Sequence, residues 1–88
     1  PEEYTLNQNY PNPFNPITTI SFEIPKYDKV SINVYDINGR LVSILLNKYL
    51  SPGYYNIFWD SNGSPSGMYF VKAQADEFTQ TVKLMLIK

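Results

Sequence analysis

The sequence predicts an all-β fold, an antiparallel β-sandwich of immunoglobulin-like shape with six or seven strands. Three observations lead there. Apolar and polar residues alternate with a period of two through most of the chain after residue 16. The alternating runs recur at intervals of about ten residues, separated by short stretches of Gly, Pro, Asn, Asp and Ser. The chain has 88 residues, 43% hydrophobic and 16% aromatic, which suits one core. A domain this small buries only ~60–65% of its unfolded surface, so large rings that each cover much area are an efficient choice.

In chain order, Ile20, Phe22 and Ile24 alternate with Thr19, Ser21 and Glu23, and Pro25 ends that strand because it lacks the N–H a continuing ladder needs. Val30, Ile32 and Val34 alternate with Ser31, Asn33 and Tyr35. Asn38-Gly39 then supplies the positive φ of a tight hairpin. The run LVSILLNKYL, residues 41 to 50, is apolar without clean alternation, and a short helix stays open beside a strand. YYNIFWD puts Tyr55, Ile57 and Trp59 on one face and Tyr54 and Phe58 on the other. After the loop SNGSPSG, Tyr69, Val71, Ala73 and Ala75 share a side. Asp76-Glu77 make a turn, and Val82, Leu84 and Leu86 alternate with Thr81, Lys83 and Met85 in the final strand.

Residues 6 to 16 read differently. Asn9, Asn12 and Asn15 recur every three residues among Pro11, Pro13 and Pro16. Residues before proline favour extended backbone, so the segment is expected near polyproline II, with the three amides on one edge and Tyr10 and Phe14 turned inward. Such a strap closes one end of the sandwich, its amides bonding backbone groups without a ladder partner. A peptide-like recognition motif is the alternative. The expected organisation is a linker remnant over 1–5, the strap over 6–16 and the sandwich over 17–88. The chain opens on PEEYTL, with neither an initiator Met nor a hydrophobic leader, and is expected to be a piece of a longer protein.

Composition narrows the chemistry. Seven Lys and Arg against eight Asp and Glu leave a net charge of -1, which argues against a nucleic-acid partner or a polybasic membrane anchor. No stretch of 18 apolar residues exists to form a spanning helix, so no membrane insertion of its own is expected. With no His and no Cys, the usual nucleophile–base pairs and metal ligands are missing. No cofactor, no metal and no catalytic residue is expected. Asp36 and Asp60 end strands, where Asp commonly accepts turn N–H groups. DSNGS, residues 60 to 64, has the alternating oxygens that open a calcium loop but lacks the distal bidentate Glu, so a hairpin loop is the plainer reading. Tyr54 and Phe58 leave a second function open. An outward aromatic strip stacks on sugar rings or on a protein, unless neighbouring elements cover it.

LNQNYPNPFNPITTISFEIP resembles the opening of the C-terminal sorting domain of the type IX secretion system, also called the Por secretion system. The similarity continues through VSINVYDINGRLV, PGYYNIFWD, SGMYF and TVKLMLIK, from Leu6 to Lys88. The fold is also similar to an immunoglobulin-like domain of flagellar hook-assembly proteins. The resemblance implies a non-catalytic address at the C-terminal end of a secreted cargo protein in a Gram-negative bacterium. It implies passage through the periplasm and outer membrane to the cell surface or medium, with the outer-membrane secretion machinery and a sortase-like peptidase as partners. Gly67, Tyr69 and Phe70, together with Lys83, Leu84, Leu86, Ile87 and Lys88, match the family's late motifs and are the residues a translocon is expected to read. Strand addition at an edge-placed final strand is one route to that reading.

Overall fold

The computed structural model describes all 88 residues, Pro1–Lys88. It is all-β, with β1 Thr5–Leu6, β2 Ile17–Ile24, β3 Asp28–Tyr35, β4 Leu41–Leu50, β5 Gly53–Asp60, β6 Gly67–Ala75 and β7 Phe78–Leu86. Two antiparallel sheets form, one in the order β1-β2-β5 and the other in the order β4-β3-β6-β7. The chain changes sheet between β2 and β3, between β4 and β5, and between β5 and β6, as in an immunoglobulin-like sandwich.

The period-two pattern maps onto the two inner faces. Ile20, Phe22 and Ile24 from one sheet meet Val30, Ile32, Val34, Val71, Ala73, Leu84 and Leu86 from the other. Fifteen buried apolar residues make one cluster, so the chain has a single contiguous core. Each large aliphatic side chain there contributes about 1.5–3 kcal/mol by transfer from water.

The run over residues 41–50 is a strand, and its broken alternation has a cause. Ile32 pairs with Leu46 while Asn33 pairs with Ile44, which leaves Leu45 as an extra residue; Val42 is extra in the same way between Ser43 and Leu41. Each bulge resets the in-and-out parity, so Leu45 and Leu46 both pack on the core.

At the N-terminus, residues 4 and 5 belong to the fold and are no linker. Thr5 pairs with Glu23, and Leu6 is buried. The Tyr4 ring stacks on Phe78 at 5.3 Å between centroids, and its hydroxyl donates to Asp28 Oδ2 at 2.6 Å. Burial and that carboxylate push the Tyr4 hydroxyl up to about 12.

Candidate functional site: the final hairpin and the strap that crosses it

The β6–β7 hairpin divides the late-motif residues by face. Tyr69, Leu84 and Leu86 point into the core and are buried. Tyr69 packs edge-on against Trp59 at 5.1 Å and donates its hydroxyl to the Pro65 carbonyl at 2.6 Å. A tyrosine at the start of this strand that bonds back a few residues is the tyrosine corner of immunoglobulin-like sandwiches. Gly67 precedes it at φ +152°, a conformation other residues rarely adopt. Phe70 and Lys83 sit opposite each other on the outer face, while Ile87 and Lys88 are exposed beyond the strand end. The structure therefore brings Tyr69, Leu84 and Leu86 together as packing, uses Gly67 for its backbone conformation opposite Leu86, and leaves Phe70, Lys83, Ile87 and Lys88 outside the core.

The strap runs from one sheet to the other. Tyr10 exchanges both backbone hydrogen bonds with Thr19 of β2, at 2.8 and 3.0 Å. Four residues on, the Phe14 N–H donates to the Met85 carbonyl and its carbonyl accepts the Ile87 N–H. The Phe14 ring fills the end of the core against Trp59, 5.6 Å between centroids. Tyr10 does not turn inward; it is 79% exposed, because its bridge to Thr19 aims it at the outer face of the three-stranded sheet.

Nor do the three asparagines line one edge of a polyproline ribbon. The peptide bonds before Pro11, Pro13 and Pro16 are all cis. Asn9 is buried, its amide nitrogen donating to Thr18 Oγ1 and to the Pro11 carbonyl. Asn12 Oδ1 accepts the Met85 N–H at 3.0 Å. Asn15 is exposed. Pro16 accepts both the N–H and the hydroxyl of the buried Ser61. Two glutamines with no motif of their own complete the clasp: Gln8 Nε2 donates to the Lys83 carbonyl and Gln80 Nε2 to the Leu6 carbonyl. Nothing local marks them, since their partners lie 74 or more positions away.

These contacts change the expectation about edge addition. β7 is an edge strand, but its last groups are already taken: Met85 N–H by Asn12, and Met85 C=O and Ile87 N–H by Phe14. A partner strand pairing with Met85–Ile87 has to displace the strap first.

Tyr54 and Phe58 are 74% and 65% exposed on the outer face of the three-stranded sheet. They are not a continuous strip. Asn56 lies between them, bonded to Ser21, and the four-residue spacing separates them by ~13 Å. Asp36 accepts the N–H groups of Arg40 and Asn38, and Arg40's guanidinium lies 3.4 Å from its carboxylate. The Arg40 N–H, the Asn38 N–H and that cation hold the Asp36 carboxyl below the usual range. Asp60 accepts the Asn62 N–H within the 60–64 loop. No group of three or more Asp, Glu, His or Cys converges anywhere in the molecule.

No curated protein matches this chain. Residues 8–88 match the family described as the secretion system C-terminal sorting domain, a stretch that takes in the strap from Gln8 onward and all of β2 to β7. The chain belongs to that family, the C-terminal sorting domains of type IX secretion.

Proposed function

We propose that this domain is the non-catalytic sorting signal of an N-terminally fused cargo protein in a Gram-negative bacterium, and that a sortase-like peptidase removes it after export, cutting upstream of the strap. The family is one of type IX sorting signals, which implies recognition by that machinery, a larger cargo and export across the outer membrane. The observation that carries the reading is the match over residues 8–88. The division of the late motifs supports a finer assignment. Phe70, Lys83, Ile87 and Lys88 face solvent and are the side chains the machinery reads; Gly67, Tyr69, Leu84 and Leu86 hold the hairpin in shape.

The test joins the chain to an inert reporter in a host with type IX machinery and assays periplasm and medium. Removing residues 83 to 88 also removes two core side chains, Leu84 and Leu86, so its failure to export reports unfolding as readily as lost recognition. The informative variant is Phe70→Ser with Lys83→Ser, both on the outer face. Export that falls while the domain keeps its dispersed amide spectrum supports the assignment. A parent fusion that is folded yet held in the periplasm sinks the sorting role.

The exposure of Tyr54 and Phe58 favours a second reading, an accessory carbohydrate- or protein-binding module of a surface enzyme. Polysaccharide binding that Tyr54→Ala and Phe58→Ala both abolish would establish it.

A further inference from the structure

The outer face of the four-stranded sheet carries two aligned rows. Leu41, Tyr35, Phe70 and Lys83 stand side by side across β4, β3, β6 and β7, and Ile44, Asn33, Lys72 and Thr81 form the next row. One side of this surface is apolar: Leu41 is 52% and Ile44 60% exposed, with Ile37 of the adjoining hairpin at 72%. The other side is cationic. Lys72 and Lys83 are diagonal neighbours, a relation that sets side-chain origins ~7–8 Å apart. A groove of about 360 Å³ opens between the two halves, lined by Tyr35, Asp36, Ile37, Phe70, Lys72 and Thr81.

Neither lysine has an acid to answer it. The ion pairs of the molecule are Lys26–Asp76 and Arg40–Asp36. The Asp36 charge is already met by Arg40 and two backbone N–H groups. The strands of this sheet carry Lys29, Lys48, Lys72 and Lys83 against Asp28 alone, and Asp28 accepts the Tyr4 hydroxyl. On the opposite sheet, β2 and β5 hold Glu23 and Asp60 and no cation. A net charge of -1 thus hides two faces of opposite sign.

We propose that the four-stranded face docks an extended acidic and apolar peptide segment of a partner protein, with carboxylates on Lys72 and Lys83 and apolar side chains on Leu41, Tyr35 and Phe70. Charge complementarity selects the partner: two unpaired ammonium groups beside aromatic rings favour an anionic chain and repel a basic one. The proposal deepens the sorting reading, on which it rests, by giving the chemistry of the element that reads Phe70 and Lys83. Tyr35 and Lys72 join the site through register alone.

The test adds a short peptide of alternating Glu and Leu to the isotope-labelled 88-residue chain and follows amide shifts, with an alternating Lys and Leu peptide as control. The expected result is saturable shifts on β3, β6 and β7, weakened about tenfold or more by several hundred millimolar salt. Lys72→Gln with Lys83→Gln, which keeps the side-chain stems and the fold, weakens binding to a similar degree. Shifts confined to the Tyr54 and Phe58 face, equal binding of the Lys peptide, or an unchanged affinity in the double Gln variant overturns the proposal. So does concentration-dependent self-association through this face without a peptide effect, which reassigns it to a second copy. Export by the parent fusion is scored separately, so loss of this docking chemistry leaves the sorting role standing.

Discussion

The four-stranded sheet ends in two edge strands, β7 and β4, and the molecule treats them by different means. On the β7 side the strap and the Gln8 amide occupy backbone groups that a ladder would otherwise use, and the Gln80 side chain ties β7 to the Leu6 carbonyl of β1. On the β4 side nothing crosses. Two bulges distort that edge, and Leu41, Val42 and Ile44 remain exposed along it. Both devices limit strand addition, one by covering the edge and one by irregularity. The difference locates the control: the edge next to the late motifs is the covered one.

β7 is itself divided. Met85 turns both backbone groups outward to the strap, and ladder alternation aims those of Thr81 and Thr79 the same way, toward no such partner.

The strongest way to break the comparison is Phe14→Ala. It removes the ring that plugs the core against Trp59, and is expected to cost about 3–5 kcal/mol in denaturant unfolding. The matching change on the other side, Leu46→Ala, removes a side chain only partly buried, and is expected to cost about 2 kcal/mol. If the two costs are equal, the strap is no more important to the core than the bulged edge. Asn12→Ala sharpens the comparison without touching the core. Loss of its acceptor should cost about 0.5–1.5 kcal/mol and speed hydrogen exchange at Met85, leaving exchange at Thr81, which the strap does not reach, unchanged. Ile44→Lys should shift stability by less than about 0.5 kcal/mol, since the side chain is exposed.

The smallest effects are in pH, and they fall at opposite ends of the scale. Tyr4 is held neutral, its hydroxyl raised to about 12, so its contribution is complete below pH 10 and disappears as pH rises through about 12. Tyr4→Phe should flatten that alkaline limb in an unfolding series. Asp36 is the reverse case. Its carboxyl is lowered, so its contribution is present above about 4, the ordinary carboxylate value, and disappears as pH falls through the folded-state value. Acid titration should release the Asn38 and Arg40 amides of the β3–β4 hairpin while Met85 stays protected.

Much of this was written locally. The alternation of β2, β3, β6 and β7 identified both inner faces, since burial follows parity along a strand. Asp36 and Asp60 serve their turns as strand-ending Asp does. Where local rules failed, a distant partner had decided. Leu45 and Leu46 both reach the core because bulges against β3 reset a parity that residues 41–50 do not display alone. Tyr10 faces out and Phe14 in because one bridges β2 and the other β7, which no three-residue period encodes.

The sequence by itself determined the fold class, the single core and the family, because periodicity and motif order are properties of neighbouring residues. Only the tertiary structure decided which late-motif residues are packing and which are surface. It alone placed Gln8 and Asn12 on the β7 edge, and Tyr35 and Lys72 beside Phe70 and Lys83. Those are relations between strands far apart in the chain, set by register and sheet order, and they exist only once the sheets have paired.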